Sequence, residues 1–151
     1  MDAIDLTILT LLAENARITF SDLAGATGLS GPSVADRVRK LEERRAILGY
    51  SARIAPEALG LGLTALVAVT LMGPEHRAAF LAGIGRLPGV VECHHVAGDD
   101  DYVLKVHVAG TGGLETFVSD GLKTIPGVAR TRTTVVLSTP LERPLAPATA
   151  E

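Results

Sequence analysis

Through the first fifty or so residues, apolar positions recur at intervals of three and four, and beyond Leu63 they alternate along strands separated by two further helical stretches. Ile4, Ile8, Leu11 and Leu12 form one face of a first predicted helix. A second begins at "ITFSDL", where Thr19 can cap, Asp22 answers from the third helical position, and Ile18 is placed to staple onto Leu23. "TGLS" then makes a tight connection through Gly28 to a new cap at Ser30, and Pro32 is tolerated in the first turn that follows. Two helices joined by so short a glycine-containing turn form a helix-turn-helix candidate.

The third helix decides whether that geometry has a use. At 100° per residue Val34, Val38 and Leu41 face the core, while Ser33, Arg37, Lys40 and Arg44 fall in a stripe about 60° wide beside them. Asp36 and Glu43 point elsewhere on this reckoning. A basic stripe suits a helix that approaches phosphates in a major groove, and with Ser30 and Arg39 these residues make up the candidate DNA contacts. The competing reading is a solvated charged face; the short turn before the helix favours double-stranded DNA.

The second part of the chain contains an internal echo. "RLPGVVECHHV" and "TIPGVARTRTTVV" each place Pro-Gly-Val after an amphipathic helix and before a strand. The preceding helices present Phe80, Ile84 and Leu87 in one case and Leu114, Phe117, Val118 and Leu122 in the other. With strands at Leu63 to Met72 and Tyr102 to Val108, the order is βαββαβ. The expected class is therefore α+β, with a ferredoxin-like antiparallel sheet carrying both helices on one face. The other face needs a cover, which predicts self-association.

Composition narrows the setting. A chain of 151 residues with 47% hydrophobic and 21% charged content can bury a core and reads as folded and soluble. Its net charge of −3 gives no global pull toward nucleic acid or an anionic membrane, so a basic surface must be local. Residues 1–55 hold seven Lys/Arg against seven Asp/Glu, whereas the remainder holds seven against ten. One cysteine, Cys93, excludes an internal disulfide and suits a reducing cytoplasm. Asp2 and Asp5 precede any basic residue, the wrong polarity for a secretory signal, and the apolar run Leu61 to Met72 is shorter than the roughly 20 residues of a membrane span. The expected division is a DNA-binding domain at 1–55, a hinge at 56–62 punctuated by Pro56, Gly60 and Gly62, a second domain at 63–138, and a proline-rich, disordered tail at 139–151.

Between the two central strands stands "HHVAGDDDYVLKVHV". Gly98-Asp99-Asp100 is ordinary turn chemistry, yet three adjacent carboxylates repel one another unless something positive is near. Cys93, His94, His95 and His107 lie close in sequence, but neighbours on a strand face opposite ways, so the expectation is no metal site and no cofactor. No nucleophile-base pair, phosphate loop or other catalytic residue stands out.

The run "DAIDLTILTLLAENARITFSDLAGATGLSGPSVADRVRKLEERRAILGY" resembles the winged helix-turn-helix of the leucine-responsive regulator (Lrp/AsnC) family, and "ECHHVAGDDDYVLKV" with "IPGVARTRTTVV" resembles its effector-sensing domain. The resemblance implies a DNA-binding transcriptional regulator that dimerises through its C-terminal domain, forms tetramers or octamers, and answers to an amino acid or related metabolite. It implies an effector pocket between dimers to which Gly98, Asp99, Asp101 and Tyr102 contribute. An acidic side chain there could hold an amino acid's ammonium group, while backbone N–H groups and the hydroxyls of Thr133 or Thr134 receive its carboxylate. Two positions depart from the family pattern: Arg45 stands where a glycine usually stops the recognition helix, and Leu48 where the wing often carries a basic residue. The alternatives are an enzyme on a similar fold, such as a siroheme decarboxylase, and an architectural DNA-binding protein without an effector.

Overall fold

Three helices form where the helical spacing places them: α1 (Ala3–Glu14), α2 (Phe20–Thr27) and α3 (Gly31–Glu43), in a computed structural model that describes residues 1–147. α1 opens on a capping box, in which Asp2 Oδ1 accepts from the Asp5 N–H (2.9 Å) and Asp5 Oδ2 from the Asp2 N–H (3.2 Å). At α2 the Thr19 hydroxyl accepts from the Asp22 N–H (3.1 Å) and donates to the Asp22 carboxylate (2.7 Å), so Asp22 answers the hydroxyl of the cap. Gly28, at φ 70°, closes α2 in the left-handed region, and Ser30 caps α3 two residues later. Ile8, Leu23, Val34, Val38 and Leu41 are buried together, with Ile18 packed on them as the staple requires.

α3 ends in the conformation that glycine would favour. Arg45 has φ 58°, and is the sole non-glycine residue with positive φ among those described. Its N–H donates to the Glu42 carbonyl and those of Ala46 and Ile47 to the Leu41 carbonyl, which satisfies the helix end at a backbone cost of about 1 kcal/mol. The expected wing needs correction: no strand forms among residues 46–55. A two-stranded ribbon is marginal without further cover, and the segment is instead tied to α3 by Tyr50, whose Oη donates to Glu42 at 2.9 Å.

The chain divides into two compact units, Met1–Arg53 with the segment from Leu141, and Ile54–Pro140. The second opens on a 3-10 turn, Pro56–Leu59, stopped by Gly60 at φ 73°. There follow β1 (Leu63–Leu71), a 3-10 turn (Pro74–His76), α4 (Arg77–Ile84), β2 (Val90–His95), β3 (Tyr102–Val108), α5 (Thr111–Thr116), which runs on through a π-helical turn, and β4 (Val128–Val135). The strands are antiparallel in the order β2-β3-β1-β4, the ferredoxin-like arrangement. Phe80 and Ile84 of α4 and Phe117 and Leu122 after α5 pack on Ala65, Val67, Val69, Leu104 and Val106, so both helical segments cover one face of the sheet.

The two Pro-Gly-Val turns are physical equivalents. Gly89 and Gly127 both sit at φ 88°; a Cβ would come within 2.4 Å of the His107 carbonyl oxygen at the first and 2.1 Å of His76 Cγ at the second. Residues 139–147 form neither helix nor strand, and the end of the tail expected to be disordered lies outside the described residues. Among the described residues no helix is long and apolar enough to cross a membrane.

Candidate DNA-binding and effector sites

Four of the six candidate DNA contacts share a surface; Ser30 and Arg39 are not among its lining residues. Ser33, Arg37, Lys40 and Arg44 line one open cleft of about 590 Å³ with Met1, Asp2, Asp5 and Asp36. The stripe is not a row of free cations, however. Arg37 Nη1 donates to both oxygens of Asp2 (3.0 and 2.8 Å) and to Asp5 Oδ1 (2.6 Å), and these hydrogen bonds hold its guanidinium above its ordinary pKa. Asp36, expected to point elsewhere, takes Lys40 at 2.6 Å and Arg39 at 2.5 Å; those two partners, Lys40 first, hold its carboxyl below the usual range. Glu43, also expected elsewhere, takes the other arm of Arg39. The correction has a simple cause, since residues three and four apart on a helix are neighbours whatever a narrow stripe assigns them. Among the described residues Arg44 and Arg45 are the basic side chains at this end of α3 with no ion pair. Ser30 is spent on the cap and shares a hydrogen bond with Ser33 (2.8 Å).

In the second unit the three aspartates part company. Asp100 is 9% exposed and lies between Arg132 (2.5 Å) and Arg130 (3.6 Å), with Thr70 Oγ1 donating at 3.2 Å. The hydrogen bond from Arg132 leads the effects that lower its pKa, and so the charge that three adjacent carboxylates call for comes from β4. Asp101 accepts from the Leu71 N–H (2.7 Å), and its own backbone bonds to Val69 and Val96. Asp99 is exposed at the tip beside Gly98, whose φ is 151°.

Asp101 and Tyr102 line a cavity of about 300 Å³ with Leu71, Gly73, Pro74, Arg77 and His95. Gly98 and Asp99 are not among its lining residues, and Thr133 and Thr134 stand opposite Val67 and Leu66, farther along the sheet than the stretch Val69–Leu71 that meets the loop. Tyr102 is 3% exposed and lies between Phe80 (ring centroids 4.8 Å apart) and His95 (5.0 Å) with the rings tilted, its buried hydroxyl lacking a hydrogen-bond partner among the described residues. Two of the histidines have partners of other kinds: His94 pairs with Glu92 (2.9 Å) and His107 with Thr64 (2.9 Å). Among the described residues no three potential ligands converge.

Two segments carry known signatures. Residues 1–42 match the AsnC-type helix-turn-helix domain, and residues 64–146 match the Lrp/AsnC ligand binding domain. The chain belongs to the Lrp/AsnC family. It is 42% identical over 139 residues to the HTH-type transcriptional regulator LrpA of Mycobacterium tuberculosis, spanning 92% of this chain and 91% of the relative. Among solved structures it is similar to a transcriptional regulator of Neisseria meningitidis in complex with L-Met, with a TM-score of 0.90 and 29% identity over 95% of this chain and 94% of that one. It is also similar to the feast or famine regulatory protein of M. tuberculosis complexed with L-methionine, with a TM-score of 0.89 and 41% identity over 97% of this chain and 99% of that one. The chain is thus an Lrp/AsnC transcriptional regulator with a DNA-binding helix-turn-helix.

Within that family frame, several participants were not read from the sequence. Asp2 and Asp5 carry a local signal, an acidic residue on either side of a capping box, and Asp36 with Lys40 is an (i, i+4) pair visible by spacing alone. Arg77 and His95 carry none, since only the folded sheet brings them to Asp101.

Proposed function

We propose that this Lrp/AsnC regulator binds DNA sequence-specifically through α3 and is controlled by a zwitterionic amino acid held at Asp101. The observation that carries the reading is the cavity that Asp101 and Arg77 line together with Leu71, Pro74 and Tyr102. An ammonium group suits the carboxylate, a carboxylate suits the guanidinium, and about 300 Å³ accommodates a small apolar side chain. That two structural relatives are complexes with L-methionine supports an amino acid of this kind. Gly98, Asp99, Thr133 and Thr134 stay as outer contacts, in a pocket completed by a neighbouring dimer.

In this reading residues 1–55 are the DNA-binding domain, 56–62 the hinge, 63–138 the effector and assembly domain, and 139–151 a tail. The sheet face opposite the helices exposes Leu66 and leaves Val103 half-buried, which supports a homodimer, with tetramers or octamers built from it. Effector binding then shifts contacts between dimers and so changes how paired α3 helices meet half-sites roughly 34 Å apart. The protein works in the cytoplasm as a regulator and not as a catalyst. Isothermal titration against an amino-acid panel, paired with measurement of assembly size, tests it. L-methionine or a similar apolar amino acid should bind and change assembly, and Asp101→Asn or Arg77→Ala should each weaken that binding about tenfold or more while leaving effector-free DNA binding intact. Full retention of binding in both variants would remove the site from consideration.

A further inference from the structure

The Arg37 guanidinium is held on one side only. All its hydrogen bonds to the described residues leave from Nη1, toward Asp2 and Asp5, while Nε and Nη2 carry three more N–H donors. The holders are themselves fixed, because each carboxylate also accepts from the other's backbone at the start of α1, and the Asp5 side chain is only 13% exposed. Two carboxylates around one guanidinium leave the trio with a net negative charge, which repels a phosphate. What Arg37 retains is direction: a planar fork, unspent at Nε and Nη2, on a residue that lines the cleft with Ser33, Lys40 and Arg44.

We infer that Arg37 is a base-reading residue, set by Asp2 and Asp5 to present its free N–H edge to a guanine in the major groove, and that the two aspartates are positioning residues for sequence recognition. The inference rests on the reading of α3 as the helix that enters DNA. Guanine offers O6 and N7 as paired acceptors at the spacing of two guanidinium N–H groups, and that match needs a guanidinium of fixed plane. Arginine loses less entropy on such a contact when a second partner already holds it, which is what a carboxylate buttress supplies. A phosphate contact would need neither the fork nor the buttress, and here Arg44 is better placed to supply one because no carboxylate among the described residues pairs with it.

The experiment is a binding selection from a randomised duplex library, run on the full-length protein and on Arg37→Lys, Arg37→Ala, Asp5→Asn and Asp2→Asn. The wild-type chain should recover half-sites with one preferred G·C pair. Arg37→Lys, which keeps the charge and loses the fork, should lower discrimination at that pair about tenfold and leave the salt dependence of binding unchanged. Asp5→Asn should lower it severalfold at the same pair and nowhere else; Asp2→Asn, at the more exposed partner, gives the same readout should Asp5→Asn melt at a lower temperature. Retention of the preference in Arg37→Lys would make the contact one of charge alone and overturn the inference. Tighter binding of Asp5→Asn to all sequences alike would overturn it too, by making the carboxylates competitors of DNA. An unaltered motif in Arg37→Ala would reduce the residue to a tie between α1 and α3. Failure of the wild-type chain to enrich any motif, by contrast, would sink the assignment of α3 itself.

Discussion

One arginine among two carboxylates and one carboxylate between two arginines make a matched pair of clusters, one in each unit. Arg37 with Asp2 and Asp5 carries a surplus of negative charge on the surface proposed to meet DNA. Asp100 with Arg130 and Arg132 carries a surplus of positive charge beside an otherwise acidic loop. In both cases the group in the minority decides what the cluster does. The Arg37 guanidinium is 29% exposed and keeps unused donors, so its neighbours orient it. The Asp100 carboxylate is 9% exposed and is used on several sides, so it fastens the β2–β3 loop, and with it Asp101, to the edge strand β4. Counted along the chain, α3 holds three basic and three acidic residues and the loop three aspartates; pairing across the fold adds two carboxylates to the first and two arginines to the second.

The strongest way to break the comparison is at Asp100. Asp100→Asn removes the charge that both arginines meet, and thermal melts at pH 7 should show a loss of about 5 °C in the melting of the second unit, with weaker amino-acid binding at the adjacent Asp101. The pH dependence follows from the direction of the shift. Because Arg132 holds the folded Asp100 pKa below its unfolded value, the stabilisation is complete above about pH 4 and is lost as pH falls through the folded pKa. Asp2 is lowered likewise, first by the Asp5 backbone and then by Arg37, so the variant should flatten the acid limb only in part. An acid limb identical to that of the wild type would show that Asp100 does not carry the loop.

A smaller effect separates charge from direction on α3. Filter binding between about 50 and 200 mM salt should give Arg44→Ala a severalfold loss of affinity and a slope lower by about one, the signature of one phosphate contact, whereas Arg37→Lys keeps the slope. Equal slopes for Arg44→Ala and wild type would mean that the unpaired arginine does not reach the backbone.

How much of this was legible follows the distance along the chain over which each feature is decided. The caps at Thr19 and Ser30 and the stop at Gly28 are fixed by neighbours a few residues away, and turn chemistry announces them; it announces the Pro-Gly turns at 89 and 127 as well, although the residues that exclude a Cβ there, His107 and His76, are distant in sequence. The left-handed Arg45 was foreseeable as a departure from the family pattern. The wing was carried over by resemblance, and no strand forms there among the described residues. Arg37 meets its carboxylates across 32 and 35 residues, and Asp100 meets Arg132 across 32, so neither cluster leaves a mark on local periodicity. Of the effector candidates, Asp101 and Tyr102 line the cavity because alternation on β3 turns Tyr102 inward. Thr133 and Thr134 stand elsewhere because register, which spacing does not reveal, sets β4 against β1.

The smallest effect falls on Asp99, and it sharpens the contrast within the loop itself. Of the three adjacent aspartates it alone has no ion pair or side-chain hydrogen bond to the described residues, standing exposed beside Gly98. Asp99→Ala should therefore change stability by less than about 0.5 kcal/mol, as surface substitutions without partners do. It relieves like-charge repulsion on Asp100 and Asp101, so any shift should be toward greater stability and should shrink as salt screens it. Chemical denaturation at low and high salt measures both, and amino-acid titration of the same variant reads the other role. A loss of binding as large as that of Asp101→Asn would place the ammonium group at the loop tip, outside the cavity that Arg77 shares.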